Sequence, residues 1–448
     1  LRLRLLLPRG GGGRGLGGLK SLVAAALAAA ILTGCGDDGG KKAAKTPSPT
    51  PTPTPAETRS PAVAQGKVRG DLAVGLTEQN PNFVWAPGAR AGVPPEFTSW
   101  QDDLGRLKPS FFRIVLDWPS LQPQQGRRAD LEHPYDGCLR GTPPCAGWAG
   151  VKDQLAALAS RQKQHKGGWE ALLVITGTPD WAARPASGCE RSKTQPRSRA
   201  PQASAMGAYR RLVEDVIALG AQVGVRLRYW SAWNEPNHPF FISPQRAVCS
   251  TSAKSLAVTR YAELVRNLKR ALDDAPGDQE YVLGELAGLD ESKTKSTSIR
   301  EFLGALPRSI VCGSTILSQH GYITGINPVD DAAKGAARHH CKKKHVVWMT
   351  ETGVGAPHAG QDKRTSAPAE RRACRELHRR LVKWYDDPRV TAAFQYTFRE
   401  DDVFRTGLVT TSLDRAFPVL KEWQAWGATA RPKPTDPPPS HARCGAAR

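Results

Sequence analysis

The folded part of this 448-residue chain reads as α/β, a closed (β/α)8 TIM barrel forming one domain over residues 67–430. Three observations predict it. Eight short β-branched or apolar runs succeed one another, and stretches with apolar residues at helical spacing separate them. The longest insertions, 119–149, 179–205 and 236–254, fall after runs, where a barrel carries its binding loops. An open, doubly wound sheet is the competing arrangement.

In order, the runs are 68–76 (VRGDLAVGL), 111–118 (FFRIVLDW), 171–178 (ALLVITGT), 226–234 (RLRYWSAWN), 281–288 (YVLGELAG), 309–322 (SIVCGSTILSQHGY), 345–352 (HVVWMTET) and 391–398 (TAAFQYTF). Helical stretches lie between them, among them GVKDQLAALASRQ, AYRRLVEDVIALGAQVG, SLAVTRYAELVRNLKRALDDA and ERRACRELHRRLVKWYDD. Residues 431–448 form a Pro-rich tail, which Cys444 can tie down.

Ahead of the barrel, residues 1–34 have the layout of an export signal. Arg2, Arg4, Arg9, Arg14 and Lys20 precede a short apolar run and then Leu32, Thr33, Gly34 and Cys35. That quartet resembles the lipobox of bacterial lipoproteins, which implies lipidation at Cys35. The expectation is an exported protein, held at the outer face of the cell membrane by that anchor or secreted. The apolar run is short for a membrane span. Leu1 in place of Met suggests a truncated or misassigned start. Residues 35–66 include a Thr/Pro repeat, an extended spacer that buries nothing.

Net charge is +21, or +16 without the five basic residues of the leader. That suits an anionic envelope polymer or lipid surface. Scattered basic residues behind an export signal speak against a nucleic-acid partner. Setting Cys35 aside leaves eight cysteines, an even number for an oxidising compartment. Their connectivity is not deducible from sequence. The pairing that joins neighbouring units of the barrel is Cys138 with Cys145, Cys189 with Cys249, Cys312 with Cys341, and Cys374 with Cys444.

Reactive side chains in such a barrel sit at the C-terminal ends of strands. Glu235 ends the fourth run and Glu351 the seventh, so two carboxylates face one mouth, as glycosidic cleavage requires. WNEPN at 233–237 and WMTETG at 348–353 resemble the acid/base and nucleophile motifs of glycoside hydrolase clan A, the retaining cellulases, mannanases and β-xylosidases. Arg113 in FFRIVLDWPSLQP, GTPDWA at 177–182 and SQHGY at 318–322 match further motifs of that clan in the same order. The resemblance spans about 70–430.

It implies an exported retaining β-glycoside hydrolase, with Glu235 as acid/base and Glu351 as nucleophile and no cofactor. Arg113 is the implied cation for Glu351, and Tyr322 its donor. An acid working near neutral pH is expected to have a raised pKa. Asn234 is assigned to the sugar 2-hydroxyl, though strict alternation would turn it away from Glu235 unless the strand ends in a bulge or turn. His320 and Tyr322 share a face and are assigned to substrate, as is Trp181. Trp118 and Trp233 could also stack on sugars, whereas Trp348, off the parity of Glu351, is expected to pack outward. The clan often has a tryptophan at the end of strand 8; here Phe398 or Arg399 takes that place, and Glu400, Asp401 and Asp402 could bind hydroxyls. RHHCKKKH at 338–345 has no familiar zinc spacing, so no metal site is expected there. The substrate is a β-linked polysaccharide or oligosaccharide. Endo-action is favoured over an exo-acting β-glycosidase. A transglycosylase and a non-catalytic carbohydrate-binding envelope protein are the remaining alternatives.

Overall fold

Eight parallel strands close on themselves because the first pairs with both the second and the last. In this computed structural model, describing residues 72–445 except 166, 192–193 and 430–438, the strands are β1 (Ala73–Thr77), β2 (Phe111–Asp117), β3 (Glu170–Thr176), β4 (Leu227–Ser231), β5 (Glu280–Leu286), β6 (Ile316–His320), β7 (Val346–Thr352) and β8 (Val390–Tyr396). Gly75 of β1 lies opposite Phe111 on one side and Phe394 on the other. All described residues belong to the unit Thr58–Arg448. The leader, Cys35, the Thr/Pro spacer and most of the tail lie outside the described residues.

Each strand is followed by a helix: α1 (Pro95–Gly105), α2 (Gly150–Gln164), α3 (Met206–Val223), α4 (Leu256–Asp273), α5 (Ile299–Ala305), α6 (Pro328–Ala337), α7 (Ala367–Asp386) and α8 (Val419–Thr429). Local chemistry sets their limits. Ser366 caps α7 by accepting from the Ala369 amide, and Gly224 ends α3 in the left-handed conformation that costs glycine least. On α4 the buried Val258, Tyr261, Ala262, Val265, Leu268 and Leu272 form one stripe against the barrel. No helix among the described residues is long and apolar enough to cross a membrane.

The strands are buried on both faces, which is why they read as near-continuous apolar runs. Alternate residues form two cores. Outward ones such as Phe112, Ile114, Leu173 and Leu317 meet the helices. Inward ones fill the barrel, where Phe111, Tyr229, Trp348 and Phe394 form an aromatic plug with Phe111 and Trp348 ring centres 4.4 Å apart. Gly75 makes room for it, since a Cβ there would lie 2.3 Å from the Phe394 ring.

Two expectations change. Trp348 points into the barrel. Its neighbour strand pairs Gln319 with Met349 but His320 with Glu351, so a bulge at Thr350 shifts the parity on which the outward expectation rested. The run 309–322 is also not one strand: Arg308–Val311 is a helical turn, and β6 begins only at Ile316, after Gly313. The four disulfides are Cys138–Cys145, Cys189–Cys249, Cys312–Cys341 and Cys374–Cys444, the pairing that joins neighbouring units. Cys189–Cys249 ties the loop after β3 to the loop after β4, and Cys374–Cys444 fastens the tail to α7.

Candidate active site

Above the aromatic plug the barrel lining turns polar. Arg113 lies two residues beyond Phe111 on β2, so it points inward one layer higher, fully buried. Its Nε and Nη2 donate to Glu285 Oε2 at 2.9 and 2.5 Å, and Nη2 also donates to Asn234 Oδ1 at 2.8 Å. Nη1 lies 2.8 Å from Glu351 Oε1, close enough for an ion pair but without hydrogen-bond alignment.

Three carboxylates reach this layer through breaks in regular strand geometry. Beyond β4 the Asn234 amide bonds to Ile175 on one side, the Glu235 amide to Glu285 on the other, and Glu235 has φ of 39°. This turn is what lets Asn234 and Glu235 both address the mouth. On β5, Gly284 and Glu285 have φ of 122° and 57°, and the pairing with β6 shifts between Leu283 and Leu286. Glu285 therefore swings inward where alternation would have put Gly284. A Cβ on Gly284 would lie 2.5 Å from the Ser318 carbonyl oxygen, so the break requires glycine. The bulge on β7 brings Glu351 in likewise.

His320 connects the three. Its Nδ1 is 2.8 Å from Glu235 Oε1 and 3.5 Å from Glu351 Oε2, and its Nε2 is 3.3 Å from Glu285 Oε2. The Tyr322 hydroxyl donates to Glu351 Oε2 at 3.0 Å, and the Ser318 hydroxyl donates to Glu285 Oε1 at 2.9 Å. One oxygen of Glu235, one of Glu351 and a ring nitrogen of His320 all lie within 4.8 Å of one another.

The charges interlock. Burial disfavours the imidazolium of His320, but Glu351, Glu235 and Glu285 outweigh it and push its pKa up to about 10. Burial would raise Glu285, yet Arg113 and His320 draw it down to about 2. Glu235 is likewise raised by burial and lowered more by its hydrogen bond to His320 and the charges of His320 and Arg113, so it sits below the ordinary carboxylate value. This reverses the raised pKa expected for it. The imidazolium at 2.8 Å is the reason.

Other expected positions separate. Trp181 is half-buried, donating its indole N–H to the Gln122 carbonyl at 2.9 Å and meeting Trp118 edge-on. Trp118 and Trp233 are fully buried core residues. Phe398 is not in the mouth: it is fully buried against Phe83, with Trp100 edge-on, because the chain leaves the barrel after β8 and its backbone bonds to the Glu78 carboxylate. Arg399 reaches the carbonyls of Pro144 and Thr411. Glu400 is paired with Arg364, Asp401 with Arg140 at 2.9 Å, and Asp402 accepts from Thr411.

Sequence reasoning missed Glu285, Tyr396 and Glu78. A carboxylate inside the apolar run YVLGELAG was a signal for Glu285. Tyr396, two residues beyond Phe394 on the inward face, meets Tyr322 and Phe404 edge-on at 6.5 and 5.5 Å and forms an aromatic wall by Glu351. Glu78 accepts from the amides of Asn80, Phe398 and Arg399, joining the ends of β1 and β8.

No protein-family model matches the chain, and no curated protein matches it. Solved structures do. The endo-β1,6-glucanase BT3312 aligns with a TM-score of 0.52 at 10% identity, over 85% of this chain and 78% of its own. SrfJ from Salmonella typhimurium aligns with a TM-score of 0.51 at 9% identity, over 83% and 77%. A GH39 β-xylosidase from Caulobacter crescentus aligns with a TM-score of 0.48 at 16% identity, over 82% and 73%. Glycoside hydrolases of families 30 and 5 are among the further matches. The likeness is one of fold, the eight-stranded parallel barrel with surrounding helices.

Among the described residues, two clusters have metal-ligating atoms close together. In Cys374–Glu422–Cys444 both sulfurs are tied in a disulfide. In Glu235–His320–Glu351 the His320 ring already stands between the carboxylates, its Nδ1 2.8 Å from Glu235 and 3.5 Å from Glu351. What the second cluster offers is acid–base and nucleophilic chemistry.

Proposed function

We propose that the chain is a retaining β-glycoside hydrolase in which Glu351 is the nucleophile and Glu235 the acid/base. The observation that carries this reading is the approach of the two carboxylates to within 4.8 Å. An approach of that size is in keeping with the roughly 5–5.5 Å carboxyl separation of retaining enzymes rather than the roughly 6.5–9.5 Å of inverting ones.

The supporting groups fit the two roles. Arg113 lies 2.8 Å from one oxygen of Glu351 and Tyr322 donates to the other, so the carboxylate is held in one orientation for attack. Its attack on the sugar C1 breaks the glycosidic bond while Glu235 protonates the departing oxygen, and Glu235 then deprotonates the water that releases the sugar. The oxygen of Asn234 accepts from Arg113, so its NH2 remains for the sugar 2-hydroxyl. Tyr322, Tyr396 and Phe404 pack edge-on against one another beside the nucleophile, an aromatic cluster suited to the apolar face of a sugar. Glycoside hydrolases among the structures of similar fold support the same class.

The substrate is a β-linked glycan, and the leader and four disulfides support action outside the cytoplasm. Incubation with β-linked glucans, xylans, mannans and extracted envelope polymers, beside Glu351→Gln, tests the proposal through new reducing ends. Hydrolysis by the parent alone supports it. Equal hydrolysis by both proteins sinks the assignment of the nucleophile. Product length separates endo- from exo-action.

A further inference from the structure

Glu285 is fully buried, out of reach of any sugar, yet it touches both Arg113 and His320, the two basic side chains of the site. It binds Arg113 through Oε2, Ser318 through Oε1 and His320 through Oε2. His320 in turn has carboxylates on both sides: Glu235 at Nδ1 and Glu285 at Nε2. A neutral imidazole has one N–H and would turn a lone pair toward one of two anions. Only the doubly protonated ring satisfies both.

We propose that Glu285 is a positioning residue that keeps His320 protonated on both nitrogens, so that His320 stores the proton Glu235 delivers. This rests on the acid/base assignment of Glu235 made above. The groups facing His320 agree with it. Arg113 stands on β2, Glu285 on β5 and Glu351 on β7, Glu235 lies beyond β4, and Tyr322 lies beyond β6 with its ring 6.4 Å away. Three carboxylates face a single guanidinium, and a second cation is needed between them. The raised pKa of the imidazole is consistent with this placement.

The proton count closes over one turnover. At rest Glu235 is an anion and His320 a cation. As the leaving oxygen departs from C1 and Glu351 bonds to it, the Nδ1 proton passes to Glu235 Oε1 and on to that oxygen. His320 is then neutral, keeping its Nε2–H on Glu285. Water attacks C1, breaks the Glu351 ester and gives its proton to Glu235, which returns it to Nδ1. Glycoside and water become two hydroxyl compounds, and the site recovers its starting charge. Glu285 neither gains nor loses a proton, because Arg113 and Ser318 already hold both of its oxygens.

The test has two readouts on the full chain. The first is NMR titration of the His320 ring, assigned by comparison with His320→Asn, in the parent, Glu285→Gln and Glu285→Asp. The second is the pH profile of kcat/KM for the same proteins. Removing the anion favours the neutral ring, so in Glu285→Gln the ring pKa and the alkaline limb should both move acidward by at least about one unit. Glu285→Asp should restore most of the shift. An unmoved ring and limb in a folded Glu285→Gln would overturn the proposal. So would a parent ring that is neutral at pH 7, which needs no variant to fold. If the parent hydrolyses no glycan, the functional reading fails while the ring titration still decides the charge state.

Discussion

Replacing Arg113 by methionine removes a cation that no solvent can replace. Its side chain is fully buried, and it serves Glu285, Glu351 and Asn234 together. Breaking a buried pair by deleting one partner leaves an uncompensated charge and costs about 3–5 kcal/mol. Linkage gives an upper bound of similar size: against burial, Arg113 and His320 together draw Glu285 down to about 2, compared with about 4.3 for an ordinary glutamate, a gap of about 3 kcal/mol that Arg113 and His320 share. A folded pKa that is depressed stabilises above the unfolded value and ceases to do so as pH falls through the folded one. The advantage of the parent over Arg113→Met should therefore be full above about pH 5 and shrink toward pH 2. Thermal unfolding at pH 7 should show a loss of about 5–10 °C, and denaturant unfolding at several pH values should show the gap closing. Equal stability at pH 7, or a gap that stays constant down to pH 3, would refute the account.

Tyr322→Phe should lower kcat/KM roughly 10- to 100-fold with the fold intact, the loss of one hydrogen bond to a charged group, read by steady-state kinetics. Trp348→Ala should destabilise the protein by about 3–5 kcal/mol through a cavity in the barrel interior, measured by denaturant unfolding. Removing Cys189–Cys249 by a double serine substitution releases a link across 60 residues and should cost up to about 4 kcal/mol by loop entropy. Limited proteolysis should then cut first in the loops after β3 and β4.

The barrel was legible because a parallel sheet covered on both faces leaves long apolar runs, and helical spacing marks what lies between them. Glu235 and Glu351 were legible because each closes such a run. Glu285 was not, because it faces inward only through the left-handed backbone of Gly284 and Glu285, which alternation does not describe. The same blindness misdirected Trp348, whose parity is broken by the bulge at Thr350. Phe398 was favoured as a terminal aromatic, yet Tyr396 holds the last inward position of β8, and Phe398 follows a chain that has already turned toward Glu78. The lowered pKa of Glu235 depends on a histidine 85 positions away and left no local trace.

The four rings that stopper the barrel also impose an order of events. A cleft closed from below has one door, which substrate, leaving group and water must share. Under the double displacement proposed above, water would approach a sugar held on Glu351 only after the leaving group had vacated that passage. On this view Phe111, Tyr229, Trp348 and Phe394, which touch no reacting atom, make the chemistry sequential by leaving it no back entrance.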